Sequence, residues 1–260
     1  MPLFHCNFFA HTLGMPTNVT VFIPAVKPES DMNFDDIYPK NKKYRTLYLL
    51  HGMNGDETTW LRKTNIERYA QEHSIAFVMP SVHNSFYTDT RVGLAFFTYL
   101  TKELPAMLAM NFPLSQSRED TYIAGLSMGG YGAAKAALTF PELYSAFGSF
   151  SGALDIETVG KMASDTGSIS LFQSVFGDPK NISGSSADLF SLSENLIKSD
   201  KKIPRAYLAC GTLDALCYDM NVRFKNHLDK ISFKYDYFEE KVAHEWDFWD
   251  KQIKLFLDWL

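Results

Sequence analysis

The sequence is short of cysteine, of basic clusters and of long apolar runs, and each shortage excludes something. Its three cysteines, Cys6, Cys210 and Cys217, are odd in number and show no pairing pattern. A disulfide framework or a thiolate metal site needs paired spacing, so these read as reduced, partly buried thiols, and nothing around Cys6 would activate it as a nucleophile. Acidic residues (30) slightly outnumber basic ones (25), and the two signs are mixed along the chain. No basic block is present to grip nucleic acid, and no polybasic segment to hold a membrane surface. No apolar run approaches the ~20 residues of a membrane span. The opening Met1-Pro-Leu-Phe-His-Cys-Asn-Phe-Phe lacks a basic n-region, a long apolar stretch and a small-residue cleavage site, so a cytoplasmic chain is expected. There is no repeat or low-complexity tract, and homo-oligomerisation is left open.

What is present is a rhythm of strands and helices. At 260 residues the chain fits one α/β domain over 1–260, large enough to bury a substantial core. Apolar runs at 46–50, 75–79, 122–124, 146–150, 206–209 and 234–238 predict strands, and helical spacing at 65–72, 94–110 and 247–260 predicts helices between them. That alternation implies a mostly parallel twisted sheet with helices on both faces. Residues 18–23 alternate and stop at Pro24, an early strand that is antiparallel or at the edge; residues 25–44, with Pro28 and Pro39, read as a surface loop. In the closing helix Phe248, Ile253, Phe256 and Leu257 share one face, which should meet the sheet. Residues 155–203 break the rhythm with a Ser/Gly/Asp/Lys-rich excursion between two strands. It reads either as a lid-like insertion or as a plain surface connection.

Residues 121–132 carry the chemistry: Thr-Tyr-Ile-Ala-Gly-Leu-Ser-Met-Gly-Gly-Tyr-Gly. Gly125-Leu-Ser127-Met-Gly129 sits between a strand and a small-residue helix, the setting of a nucleophile elbow in an α/β-hydrolase sheet. A serine hydroxyl needs a base, and the base needs an orienting carboxylate, in the chain order Ser, Asp or Glu, His. Only His227 and His244 follow Ser127. His227 lies on a polar-faced helix and reads as a solvated residue, whereas His244 lies in the loop before the last helix, where a base can reach the elbow. Asp214 follows an apolar strand and a Gly turn, the slot for the carboxylate. Asp219 is its nearest rival, expected inside the next helix; Asp247 and Asp250 belong to the closing helix, where capping accounts for Asp247.

A tetrahedral oxyanion needs two donors. Met128 N–H follows the nucleophile directly, and the loop His51-Gly-Met-Asn-Gly55 should supply the other, with Met53 ahead of Asn54. His51 has no partner at metal-ligand spacing, and His244-Glu-Trp-Asp-Phe248 fails H-E-x-x-H at its fifth position, so no metal is expected. Trp60, Phe86, Tyr87 and Trp246 are candidates to line a substrate pocket, with core packing equally open for each.

Beyond these residues, Leu49-Leu-His-Gly-Met-Asn-Gly55, Trp60, Thr64-Asn-Ile-Glu-Arg68, Tyr87-Thr-Asp89, Ser149-Phe-Ser-Gly-Ala153, Gly211-Thr-Leu-Asp214 and His244-Glu-Trp246 complete an ordered set. With the elbow, it resembles the esterase D family, and within it the bacterial tributyrin esterases, cousins of the S-formylglutathione hydrolases. The resemblance implies an α/β-hydrolase fold, no cofactor and a small-molecule ester substrate with a short acyl group. It carries Ser127, Asp214 and His244 as triad and Met53 with Met128 as oxyanion donors. Met53-Asn-Gly-Asp56 stands where the S-formylglutathione hydrolases usually run to a cysteine-containing loop, which leans toward a general carboxylesterase. A non-catalytic or acyl-transferring relative is the competing class.

Overall fold

The computed structural model describes residues 2–26 and 32–260. Eight strands form one sheet in the order β1-β2-β4-β3-β5-β6-β7-β8. They are β1 (Leu3–Ala10), β2 (Met15–Phe22), β3 (Arg45–Leu50), β4 (Ile75–Pro80), β5 (Thr121–Leu126), β6 (Ala146–Phe150), β7 (Arg205–Gly211) and β8 (Asp236–Glu240). β2 pairs antiparallel with both β1 and β4, and every other pairing is parallel. The helices are α1 (Phe34–Ile37), α2 (Thr59–Lys63), α3 (Ile66–His73), α4 (Phe96–Thr98), α5 (Leu104–Asn111), α6 (Met128–Thr139), α7 (Ile156–Asp165), α8 (Ile169–Phe176), α9 (Leu189–Ile197), α10 (Tyr218–Lys230) and α11 (Trp246–Trp259). A π-helical turn, Tyr99–Glu103, joins α4 to α5. Among the described residues no helix is long and apolar enough to cross a membrane.

Strand periodicity of two divides the core between the faces. Tyr48, Leu50, Val78 and Ile123 pack with α5, α6 and α10, while Leu47, Leu49, Phe77 and Ala124 pack with α2, α3 and α11. The central strands are therefore buried on both sides, which is why they read as unbroken apolar runs. The face predicted for the last helix meets the sheet: Phe248, Ile253, Phe256 and Leu257 are all buried.

Several expectations need correction. Of the two options read for 18–23 the antiparallel one holds and the edge one does not, because β1 covers the outer side of β2. β1 had no legible signal, since most of its residues stay partly or fully exposed and the alternation is weak. β8 begins two residues later than predicted, at Asp236, where pairing with Tyr207 starts; before it, Phe233 is buried and Ser232 turns at φ 57°. The loop read over 25–44 contains α1, closed by a capping box in which Asn33 and Asp36 bond each other's backbone N–H. Its residues 27–31, Pro28 among them, lie outside the described residues.

Phe256 is fully buried against Phe150, Tyr207 and Trp259, with ring centroids at 6.0, 5.6 and 5.7 Å. Phe256→Ala is expected to lose about 3–5 kcal/mol of stability, read as a lower urea midpoint at unchanged m. A loss below about 1 kcal/mol would mean that this ring adds little to the core.

Candidate active site

The elbow is built by steric necessity. Ser127 sits at φ 53°, ψ −119°, between β5 and α6, a left-handed conformation that costs a residue with a side chain about 1–3 kcal/mol. Glycine flanks it because the backbones touch. A Cβ on Gly125 would lie 2.5 Å from the Gly129 carbonyl carbon, and one on Gly129 would lie 2.5 Å from Leu50 O. The turn is held by Ser127 N–H donating to Phe150 O (2.9 Å) and by Ser127 O accepting from Tyr131 N–H (3.1 Å) and Ala153 N–H (3.2 Å). Leu126 and Met128 are buried, yet Ser127 between them stays partly accessible.

Met128 N–H opens α6, at the positive end of the helix dipole. Neither it nor Met53 N–H donates to a protein acceptor among the described residues. The rival, Asn54 N–H, is already taken by Asn84 Oδ1 at 2.7 Å. His51 is buried and structural: its Nε2 accepts from Val82 N–H at 3.2 Å, so Nδ1–H donates to Gly52 O at 2.7 Å. Burial pushes its pKa down, keeping the ring neutral.

Asp214 stands just after β7, 1 % exposed. One oxygen accepts from the N–H groups of Leu216 (3.0 Å) and Cys217 (2.9 Å), and the other accepts from His244 Nδ1–H at 2.7 Å. A carboxylate can only accept, so the proton is on Nδ1 and Nε2 is left able to take one. Burial pushes the Asp214 carboxyl up, but the His244 hydrogen bond and charge, with the Cys217 N–H, more than reverse this and hold it below its ordinary value. The two loops are tied together, since Thr212 N–H donates to Glu240 O (2.8 Å) and Leu213 N–H to Val242 O (3.0 Å). Trp249 supports the imidazole edge-on at 4.8 Å. Ser127 and His244 border the same cavity without a direct hydrogen bond, and catalytic hydrogen bonds are often loose before substrate arrives. Asp214, Cys217 and His244 also bring ligand-type atoms within 4.8 Å of one another. The hydrogen bonds just described engage Asp214 and His244, and burial pushes the Cys217 thiol well up, so this trio does not resemble a prepared metal site.

The alternatives lie elsewhere. Asp219 is exposed on α10, Asp247 is exposed on α11, and Asp250 accepts from Asn65 N–H and Tyr69 O–H, both at 3.0 Å, tying α11 to α3. His227 is not solvated as expected: it is half-buried against Phe190 and Phe224, bonded to Phe190 O at 3.1 Å.

Two cavities meet at Ser127. One, of about 290 Å³, is apolar and runs under the excursion, bordered by Phe86, Met162, Leu171, Phe172 and Met220. The other, of about 530 Å³, is bordered by His244, Trp246, Arg62 and Lys63; Met53 lines both. The largest hollow, about 1040 Å³ around Arg205, Tyr235 and Trp259, lies at the far end of β7 and holds none of the site residues. Two aromatic expectations are corrected here. Trp60 (1 % exposed) and Tyr87 (0 %) line neither cavity. Trp60 Nε1–H donates to Leu50 O and Tyr87 O–H to His51 O, each at 3.0 Å, so both brace the end of β3. Arg62, Lys63 and the α7–α8 wall were missed individually; only the apolar patch at 171–176 signalled that wall.

A carboxyl held below its ordinary pKa stabilises the fold above the carboxylate range, and that stability disappears as pH falls through the folded pKa. Asp214→Asn should therefore unfold more easily than wild type at pH 7, the gap closing as pH drops below about 3.9. Urea titrations at stepped pH measure this; a gap independent of pH would show that the charge contributes nothing.

Comparison with known proteins gives the family. The Esterase family model matches residues 25–257. An acetyl esterase of Caldicellulosiruptor saccharolyticus is 32 % identical, covering 100 % of this chain and 98 % of its own length. FphF, the fluorophosphonate-binding serine hydrolase F of Staphylococcus aureus, superposes with a TM-score of 0.88 at 33 % identity, over 99 % of this chain and 97 % of its own. The S-formylglutathione hydrolase FrmB of the same organism does so at 0.85 and 32 %, over 100 % and 99 %. Whole-length likeness of this order reaches well beyond a shared sheet, and the chain belongs to the Esterase family, as an esterase D/FrmB-like serine ester hydrolase of the α/β-hydrolase superfamily.

Proposed function

We propose that the chain is a carboxylesterase that releases short acyl groups through an acyl-enzyme on Ser127. Ser127 Oγ attacks the ester carbonyl while His244 Nε2 takes its proton. Asp214 fixes the tautomer and stabilises the imidazolium, and Met53 and Met128 N–H receive the oxyanion. His244 then protonates the leaving oxygen, and later activates the water that frees the acid. The observation that carries this reading is the 2.7 Å bond from His244 to the buried Asp214, with His244 bordering the cavity that also holds the strained Ser127. Ser127→Ala should lower kcat by several orders of magnitude, up to about 10⁶, with folding intact. Asp214→Asn should lower it by roughly 10⁴. Retained turnover in Ser127→Ala would overturn the assignment.

The same reasoning divides the cavities. A proton leaves His244 for the departing alcohol, so the cavity bordered by His244 takes the leaving group and the apolar one takes the acyl chain. The excursion over 155–203 then acts as the acyl wall. At about 290 Å³ that cavity is at the small end of ligand pockets, and the acetyl esterase relative supports the same size class. Each methylene that fits gains ~0.8 kcal/mol, roughly fourfold in kcat/KM, until it clashes. The p-nitrophenyl series should therefore peak between acetate and butyrate and fall steeply beyond about six to eight carbons. Leu171→Ala and Met162→Ala should extend the range, whereas Trp246→Ala should alter leaving-group preference. A maximum at decanoate or longer would exclude the short-acyl reading.

A further inference from the structure

Arg62 and Lys63 form the last turn of α2 and border the cavity that holds Ser127 and His244. Basic residues at a helix C-terminus complement its dipole wherever they stand, so position alone proves nothing. Their surroundings say more. Neither side chain has an ion-pair partner among the described residues, and no acidic residue borders this cavity. Asp56, which begins the segment, is engaged by the hydroxyl groups of Thr58 and Thr59. The turn is also held firmly: Trp60 is buried, hydrogen-bonded to Leu50 O, and meets the Trp246 ring edge-on at 5.4 Å. Among the described residues the two cations are thus without an ion-pair partner, at the cavity that the esterase reading gives to the leaving group.

We propose that the leaving group of the favoured substrate carries an anionic substituent, a carboxylate or phosphate, received by Arg62 and Lys63. This rests on the esterase reading above and adds a specificity to it. The acyl carbon–oxygen (or –sulfur) bond breaks, His244 returns the Ser127 proton to the departing atom, and the anionic substituent is unchanged throughout. The chain's net charge of −5 does not oppose this, because at physiological salt charges are screened over about 8 Å and an anion inside the cavity senses the nearby pair.

The test compares 4-acetoxybenzoate with its methyl ester, which share acyl group and ring but differ in charge. Intrinsic reactivity cancels when the ratio of their kcat/KM values is compared between proteins. In Arg62→Gln/Lys63→Gln the anionic-to-neutral ratio should fall about three- to tenfold, mainly through KM, the size that two exposed ion pairs give. Arg62→Glu/Lys63→Glu should lower it further, and the wild-type ratio should shrink toward that of the variants as salt rises to about 0.5 M. A ratio unchanged across all three proteins overturns the proposal. Absence of turnover on both esters by wild type would instead overturn the esterase reading, and the proposal with it.

Discussion

The site depends on a backbone contact that only glycine permits. Helix α6 approaches the end of β3 so closely that a Cβ on Gly129 would lie 2.5 Å from Leu50 O and 2.7 Å from His51 O. Those two carbonyls also accept from Trp60 and Tyr87. One short stretch of backbone is therefore pressed by a helix and gripped by two buried aromatic side chains. The loop that follows starts from a fixed point, which brings Met53 to both cavities that Ser127 borders, one of them lined by Met128 as well. The strain at Ser127 persists because its surroundings over-determine it, at a cost of about 1–3 kcal/mol against many packed contacts.

Around that fixed point the two cavities differ in chemistry because they are built from different parts of the chain. The cavity beside His244 comes from segments braced by the sheet, with Trp246 and Trp249 among its borders. The apolar cavity is bordered by short helices tied back at two points, where Tyr131 O–H donates to Ala187 O (2.9 Å) and Arg223 pairs with Asp155 (2.8 Å). Its lining is rich in sulfur, with Met53, Met128, Met162, Cys217 and Met220. Unbranched, polarizable side chains adapt to the shape they enclose. A firm frame with a soft lining lets the apolar cavity adjust to what enters it.

Much of this was legible in the sequence because it is encoded locally. The elbow needs glycine on either side of one serine, the central strands need apolar residues on both faces, and His244 and Asp214 follow strands in the expected order. What escaped was decided by tertiary contact. β1 is half exposed, so its pattern is too weak to read. His227 carries a polar signature, yet Phe190 and Phe224 enclose it. Arg62 and Lys63 are ordinary surface cations until the fold sets them at the cavity that His244 also borders. Trp60 and Tyr87 were the hardest, because an aromatic residue near a catalytic loop reads the same whether it faces substrate or carbonyl.

Phe86 and Tyr87 show why adjacent residues can take opposite parts. Both have positive φ, 51° and 50°, a pair of left-handed residues that no propensity favours. The twist sends Phe86 to the apolar cavity, while the Tyr87 ring lies against Gly132 of α6. Lys135, further along the same helix, secures this segment: it is buried, its Nζ donates to Thr88 Oγ1 at 2.9 Å, and it sits 4.4 Å from the Phe97 ring centre. Burial pushes its amine down to about 7, so holding it there does not require a fully charged group in the core. Helix α6 thus holds Ser127 at its N-terminus and, through Gly132 and Lys135, the strained loop that borders the apolar cavity. The serine turn and one border of the apolar cavity are therefore anchored to the same helix.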